Sequence, residues 1–123
     1  MVTEVTEGTL LWEPPEQLKA QSRIKHYLDW LAREKNLHFG SYQHLWDWSV
    51  EDLDAFWGSI WEYFDLQSDR PYETVIEQPI MPGAGWFRGP NLNYAQQAFA
   101  NAQSDHPAIL FQSELQPLSD ISW

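Results

Sequence analysis

The sequence predicts a mainly α-helical chain with a small β-hairpin at its C-terminal end. Apolar residues recur at three- and four-residue steps over residues 20–31 and 50–64, which is the spacing of amphipathic helices. Residues 108–111 form a short apolar run, and residues 118–123 alternate as strands do. A lone two-stranded hairpin is marginally stable in water. The unsupported hairpin therefore predicts that the chain is incomplete on its own.

The composition limits the class of protein. The chain has 123 residues without an internal repeat, which predicts one domain or part of one. It contains no cysteine, so disulfides and cysteine-ligated metals are excluded and an intracellular protein is expected. No apolar run approaches the roughly 18 residues of a membrane span, and the first residues carry acid where a signal peptide carries base. We therefore expect a cytoplasmic protein with no membrane partner.

The net charge of −11 argues against a nucleic-acid partner, because phosphate binding needs lysine and arginine. The charge is uneven along the chain. Residues 14–36 hold five basic and three acidic residues, whereas the remainder holds two basic and fifteen acidic ones. We interpret this as one mildly basic, solvated helix face in acidic surroundings rather than as a docking site.

Residues 1–13 are predicted to be a flexible lead-in whose apolar patch is Leu10, Leu11 and Trp12. Pro14 and Pro15 suit a first helical turn, where the missing N–H costs nothing. We predict one helix of about five turns that continues from there to Asn36. Asparagine tolerates the left-handed backbone that often ends a helix.

The stretch over residues 41–65 organises the rest of the chain, because it holds four of the eight tryptophans. Ser41 is predicted to cap a short helix that ends at Trp46. Ser49, with Asp52 three residues on, is predicted to cap the next helix. The wide apolar face of that helix is predicted to pack as core, and it consists of Val50, Leu53, Phe56, Trp57, Ile60, Trp61 and Phe64.

Residues 66–81 show no clear period and contain two prolines. Within them, residues 74–76 predict a short extended piece. Residues 82–90 predict an irregular loop rich in glycine and proline, with Trp86 and Phe87 in its middle. Aromatic residues in such a loop are expected to anchor it to another part of the fold.

Asn93 is predicted to cap a further helix that runs from Tyr94 to about Ala102. Its apolar face is predicted to be buried, and it consists of Ala95, Ala98, Phe99 and Ala102. Residues 104–107 then predict a turn before the hairpin.

Motifs for nucleotide and hydrolase chemistry are absent: the chain has no GxxxxGK[ST] phosphate loop, no GxGxxG and no GxSxG. The histidines lack the spacing that places two ligands on one helical face, so no metal site is predicted from His26, His38, His44 and His106. The helix dipole is a sufficient structural reason for the acids of the tryptophan-rich helix. We prefer it to acid–base catalysis for Glu51, Asp52, Asp54 and Glu62. No catalytic, cofactor-binding or metal-binding residue is predicted.

The tryptophans could also line a surface that stacks sugars or bases. Their helical spacing favours core packing instead. Trp12 and Trp86 lie outside that spacing, so they are the better candidates for contact with another body.

Several stretches from Leu11 onward carry a family resemblance, and they occur in a single order along the chain: residues 11–14, 42–52, 56–61, 71–72, 81–87, 89, 92–95, 107–109, 113–114 and 121–123. The most specific piece is the Trp-Phe pair at 86–87 followed by Leu-Asn-Tyr-Ala at 92–95. Together they resemble the N-terminal region of the acetoacetyl-CoA synthetases, within the adenylate-forming acyl-CoA synthetases. A related region occurs in acetyl- and propionyl-CoA synthetases, which stay an alternative.

The resemblance implies that this chain is the leading segment of a larger α/β adenylate-forming enzyme domain. It also implies a two-step ligase reaction in the full-length enzyme, of the kind used in lipid metabolism. Acetoacetate and Mg-ATP form an acyl-adenylate and diphosphate, and coenzyme A then displaces AMP to give the thioester. The family's phosphate loop, adenylate-binding motifs and catalytic lysine have no match in this sequence. ATP, Mg and CoA are therefore implied for the parent enzyme, none is expected to bind this chain, and the chain alone is expected to be inactive.

Two hypotheses follow. The first divides the chain into a lead-in (1–13), a helical acyl-CoA synthetase segment (14–106) and the truncated start of the large-domain sheet (107–123). Its role is structural and its partner is the remainder of the ligase, in cis or in trans, with self-association expected where apolar faces stay exposed. The second is a stand-alone protein-interaction module that reuses this segment.

Overall fold

A computed structural model describes residues 6–100, 102 and 105–123 of the chain. Within these residues the elements are α1 (Glu16–Ala20), α2 (Arg23–Lys35), α3 (Tyr42–Glu51), α4 (Leu53–Tyr63), β1 (Thr74–Ile76), β2 (Trp86–Arg88), α5 (Tyr94–Ala100), β3 (Ile109–Phe111) and β4 (Ser119–Ile121). The predicted fold class, mainly helical with a small C-terminal hairpin, is confirmed. The start of the predicted lead-in (1–5) and Ser104 of the predicted turn lie outside the described residues.

The prediction of a single helix over the first part of the chain is wrong, because the chain forms two helices there, α1 and α2, with a break at Ser22. The Ser22 hydroxyl accepts a hydrogen bond from the Lys25 N–H at 3.1 Å and donates one to the Lys19 carbonyl at 2.7 Å. Because this one side chain bonds to backbone groups at the end of α1 and at the start of α2, the break between the helices costs little free energy. The predicted end is confirmed, since Asn36 adopts φ 54° and its N–H bonds to the Leu31 carbonyl.

The cap predicted at Ser41 is confirmed, because its hydroxyl accepts the His44 N–H at 3.2 Å. The cap predicted at Ser49 is wrong, since α3 continues through it to Glu51. Asp52 caps α4 instead, by accepting the Ala55 N–H at 3.0 Å. A carboxylate is as good an acceptor at this position as a hydroxyl, and it also complements the helix dipole.

Strands β1 and β2 pair antiparallel, with Thr74 opposite Arg88 and Ile76 opposite Trp86. The extended piece predicted at residues 74–76 is thus confirmed. The loop predicted over residues 82–90 is wrong at its centre, where β2 forms. Two further backbone bonds prolong the ladder: Glu73 N–H to Arg88 at 2.9 Å and Glu77 N–H to Gly85 at 3.0 Å.

Strands β3 and β4 form the predicted antiparallel hairpin, in which Leu110 lies opposite Asp120. The cap predicted at Asn93 is also confirmed, because its side chain accepts the Gln96 N–H at 3.3 Å. The burial predicted for α5 is wrong. Phe99 is 69% exposed, Ala95 and Ala102 are exposed and Ala98 is half-buried. The Phe99 ring instead contacts Trp123, with centroids 5.9 Å apart.

The chain divides into two compact units, Met1–Asp47 and Trp48–Trp123. Among the described residues the buried apolar side chains are Tyr27, Leu31 and Leu45 in the first unit, and Trp61 and Val75 in the second. Many large apolar side chains of the described residues are exposed, among them Met81 at 82% and Leu115 at 94%. Much apolar surface is therefore left open.

Candidate functional site

Three aromatic rings hold the β1–β2 sheet against α4. Trp61 is buried, and its ring lies 5.3 Å from Tyr72 and 4.7 Å from Phe87, centroid to centroid. Tyr72 and Phe87 are themselves 5.3 Å apart. The two contacts of Tyr72 are edge-to-face, whereas the planes of Trp61 and Phe87 are tilted by 35°. Aromatic pairs add roughly 0.5–1.5 kcal/mol each beyond the area that they bury. We call Trp61, Tyr72 and Phe87 the aromatic node.

Gly58 lets the sheet approach α4 closely at the aromatic node. It is buried, and a Cβ added there would lie 3.4 Å from the Tyr72 hydroxyl and 3.6 Å from Val75 Cγ2. One carbon would therefore make ordinary contacts, whereas a larger side chain would push the sheet away. The packing of the second unit depends on this small residue.

A second aromatic contact joins Trp57 of α4 to Trp86 of β2, with ring centroids 5.6 Å apart and planes at 70°. Both rings are partly open to solvent, at 39% and 43% exposure. The predicted core face of α4 is therefore correct at Trp61 and only partly correct at Trp57. It is wrong at Val50 and Phe64, which are exposed. Trp86, singled out as a candidate for contact with another body, packs against α4 on one side, and its contact with another body stays a prediction. Trp12, the other such candidate, is largely exposed.

Asp69 connects two segments that are distant in sequence. Its carboxylate accepts the Asn91 backbone N–H at 2.8 Å and the Asn91 side-chain amide at 2.9 Å. The Asp69 N–H donates to the Asn91 carbonyl at 3.3 Å, and Ser68 bridges Leu92 beside it. The Arg70 guanidinium and then the two Asn91 donors lower the pKa of Asp69 well below its usual value. We call this pair of residues, Asp69 and Asn91, the Asp69 clasp.

A shallow groove of about 440 Å³ lies beside the Asp69 clasp, between the segments at 66–67 and 92–97. Gln97 fixes it by accepting the Gln67 N–H at 3.0 Å. Its lining is mostly apolar and includes Leu66, Leu92 and the ring of Tyr94. No carboxylate, imidazole or amine lines it, so the groove can hold an apolar group and offers no acid–base chemistry.

Several of the acids and histidines that the sequence offered as candidate site residues have structural partners. Asp52 caps α4, and Asp54 accepts the Ile76 N–H at 3.4 Å. His38 lies 3.4 Å from the Asn36 side chain, and His106 lies 4.0 Å from Asp105. In the part of the chain that the structure describes, no three histidine or acidic side chains are grouped so that they could hold a metal ion. Likewise, none of the described helices has both the length and the apolar character needed to cross a bilayer.

Comparison with known proteins gives consistent matches. The family model "Acetyl-coenzyme A synthetase N-terminus" matches residues 42–98. The acetoacetyl-CoA synthetase of Danio rerio is 28% identical over 113 residues, which cover 90% of this chain and 16% of that protein. The malonamoyl-CoA synthetase of Penicillium aethiopicum is 34% identical over 94 residues, or 68% of this chain and 13% of that one.

Among solved structures, the acetoacetyl-CoA synthetase from Streptomyces lividans matches with a TM-score of 0.78 and 36% identity. The match covers 91% of this chain and 18% of that chain. The chain thus spans about a sixth of the length of the relatives that it matches.

These similarities define a class first: the chain carries the N-terminal segment of an acyl-CoA synthetase. Within that class it corresponds to the N-terminal part of the acetoacetyl-CoA synthetases, so the resemblance predicted from the sequence is confirmed. The aromatic node and the Asp69 clasp both fall in this segment, and both are packing contacts without a reactive group.

Proposed function

We propose that the chain serves as the N-terminal scaffold of an acetoacetate–CoA ligase. The observation that carries this proposal is the fold match at 36% identity over nine-tenths of the chain. In the proposed reaction, ATP and acetoacetate give an acyl-adenylate and diphosphate, and coenzyme A then displaces AMP to form acetoacetyl-CoA. ATP, Mg and CoA would be bound by the remainder of the ligase, which is the proposed partner in cis or in trans.

The chemistry of the described residues supports a structural role within that enzyme. The acids near α4 cap a helix or hold a strand, and the groove beside the Asp69 clasp is mostly apolar. Catalysis by this chain alone is therefore not expected. A cytoplasmic location and a place in lipid metabolism follow from the proposed reaction and belong to the same proposal.

The acid substrate differs among the enzymes that this chain matches. The malonamoyl-CoA synthetase match shows that a similar segment occurs in an enzyme named for another acid. Acetyl- and propionyl-CoA synthetases stay as the alternative, because the matching family model is named for the acetyl enzyme.

The test is a chimera in which this chain replaces the matching segment of the Streptomyces lividans enzyme. AMP and acetoacetyl-CoA formation should stay within about tenfold of the parent, and the isolated chain should form neither above a mock preparation. A chimera that carries Trp61→Ala should lose thermal stability. The surface control Glu16→Ala should not, since the Glu16 side chain is charged and 89% exposed. A chimera that melts cooperatively yet forms no thioester contradicts the proposal.

A stand-alone interaction module is the second candidate, and one observation favours it. The aromatic node and the β1–β2 sheet give residues 48–123 a small core of their own. Such a module would meet a separate protein through exposed apolar side chains. A monomeric chain that unfolds sharply and binds no hydrophobic dye beforehand would support this candidate over the ligase segment.

A further inference from the structure

The rings of Trp57 and Trp86 form an open corner on the second unit. Their planes meet at 70° with the centroids 5.6 Å apart, so the two ring faces are close to perpendicular. A further contact with Phe56, at 5.3 Å between centroids, holds the Trp57 ring. Both indoles are nevertheless partly open to solvent. We call this arrangement the Trp57–Trp86 corner.

The shape of the corner suits a compact cation better than a flat ligand. Sugars and nucleobases stack on a single ring face, so a second ring at nearly a right angle adds little to their binding. The face of an aromatic ring carries the negative part of its quadrupole, and indole attracts cations most strongly among the aromatic side chains. Two perpendicular indole faces can therefore contact one tetrahedral alkylammonium group at the same time.

The charge near the corner also favours a cation. Asp54 lies one helical turn before Trp57, and its carboxylate accepts the Ile76 N–H at 3.4 Å, at the strand position paired with Trp86. The second unit holds eleven acidic residues against two arginines, and each arginine pairs with a carboxylate. Among the residues that the structure describes, no lysine or arginine lies over either indole. The corner thus faces an external cation from within a negative field.

We propose that the Trp57–Trp86 corner binds an alkylammonium group, as found in small quaternary amines and in lysine side chains. The two indole faces supply the contact, and Asp54 with the surrounding acids supplies the electrostatic attraction. The proposal goes beyond the ligase role and does not rest on it, because it uses only contacts within this chain.

The test is a titration of the 123-residue chain with choline, followed through the indole Nε1–H resonances by NMR. Choline should shift the resonances of Trp57 and Trp86. Dimethylbutanol, its neutral carbon isostere, should bind at least about fivefold more weakly, because it has the same shape without the charge. Trp12 is the internal control, since it is an exposed indole that contacts no other described ring. Equal binding of the isostere, equal shifts at Trp12, or no shift up to about 100 mM choline overturns the proposal.

Two variants separate the ring contact from the charge. Trp86→Leu keeps apolar bulk but removes one ring face, so it should weaken choline binding at least about fivefold. Asp54→Asn keeps an acceptor for the Ile76 N–H but removes the charge, so it should weaken choline binding about two- to threefold and leave the isostere unchanged. Glu114→Gln is the matched control, because it removes one charge in the turn between β3 and β4. If Trp86→Leu does not fold, equal effects of Asp54→Asn and Glu114→Gln still overturn the proposal.

A second probe identifies the source of the cation. Tighter binding of an N-acetylated lysine amide than of choline would support the corner as a site for a lysine side chain of another protein. Tighter binding of choline would support it as a site for a small quaternary amine. An inactive ligase chimera would leave these titrations unchanged, so the site and the proposed function can be rejected separately.

Discussion

Replacing Trp57 with alanine should weaken the attachment of β2 to α4 without unfolding the chain. A tryptophan side chain can bury about 250 Å². Trp57 is 39% exposed, so it buries roughly 150 Å², worth ~4 kcal/mol at ~25 cal/mol per Å². Residual burial in the unfolded chain and the retained Cβ reduce this to about 2–3 kcal/mol. The fully core-like cost for this residue type is about 3–5 kcal/mol.

The assay is native-state hydrogen exchange of the peptide that contains α4, because it reports local opening even if the chain does not unfold in a single step. A loss of about 2–3 kcal/mol corresponds to roughly 30- to 140-fold faster exchange. The double variant with Trp86→Ala should fall short of the sum of the single effects by about 0.5–1.5 kcal/mol, since the two rings contact each other. Tyr94→Ala is the control, and exchange in α4 should not change.

Two results would refute this reasoning. A change in exchange below about fivefold for Trp57→Ala would mean that α4 does not hold the ring in solution. Strictly additive effects of the two alanines would mean that the Trp57–Trp86 contact does not form.

Three further predictions follow from the local structure. Gly58→Ala should stabilise α4 by up to about 1 kcal/mol through helix propensity. Gly58→Leu should instead cost about 1–3 kcal/mol, because the larger side chain pushes against Tyr72. Both effects are measured by the same exchange assay, and an alanine variant as destabilised as the leucine variant would contradict the packing. Asp52→Ala should lower the stability of α4 by about 1 kcal/mol. Asp52→Asn should lower it much less, because asparagine keeps an oxygen that accepts the Ala55 N–H. Equal losses of the helical circular dichroism signal in the two variants would reject the cap. The lowered pKa of Asp69 stabilises the Asp69 clasp above the ordinary carboxyl pKa of 3.8, and that contribution should disappear as pH falls through the lower folded value. The Asn91 amide resonance should therefore titrate with a midpoint below 3.8 and should not titrate in Asp69→Asn; a midpoint at or above 3.8 would show that the clasp is open.

Helix ends were predictable where a single residue caps the helix. Asn36, Ser41 and Asn93 each satisfy backbone groups within three to five residues, so the sequence contains all that the geometry requires. Ser49 and Asp52 offered two caps three residues apart, and the sequence alone favoured the wrong one. The break at Ser22 was missed because the apolar period continues across it.

Strand β2 could not be predicted, because its neighbours Gly83, Gly85 and Gly89 indicate a loop and its pairing partner lies about twelve residues earlier. Phe87 also adopts φ 44°, which a strand-forming side chain rarely does. The Asp69 clasp was missed for a similar reason: no local pattern links Asp69 to Asn91, which lies 22 residues away. Both features depend on tertiary contacts, which periodicity does not encode.

The candidate site was predicted chiefly through what the sequence lacks and what it resembles. Because phosphate-loop and nucleophile motifs are absent, the sequence predicted no catalytic residue. The Trp-Phe and Leu-Asn-Tyr-Ala pieces identified the acyl-CoA synthetase family. Burial was predicted least well: the prediction was wrong at Val50, Phe64 and Phe99, and in part at Trp57. Periodicity identifies an apolar face, but it does not identify the surface that covers it.

The most direct measurement is thermal unfolding of the isolated chain in the presence of a hydrophobic dye. A scaffold segment with open apolar faces should bind the dye before any transition and should unfold over a broad temperature range. A sharp transition of a monomer that binds no dye until it unfolds would contradict a segment completed by a larger ligase, and it would favour the stand-alone module.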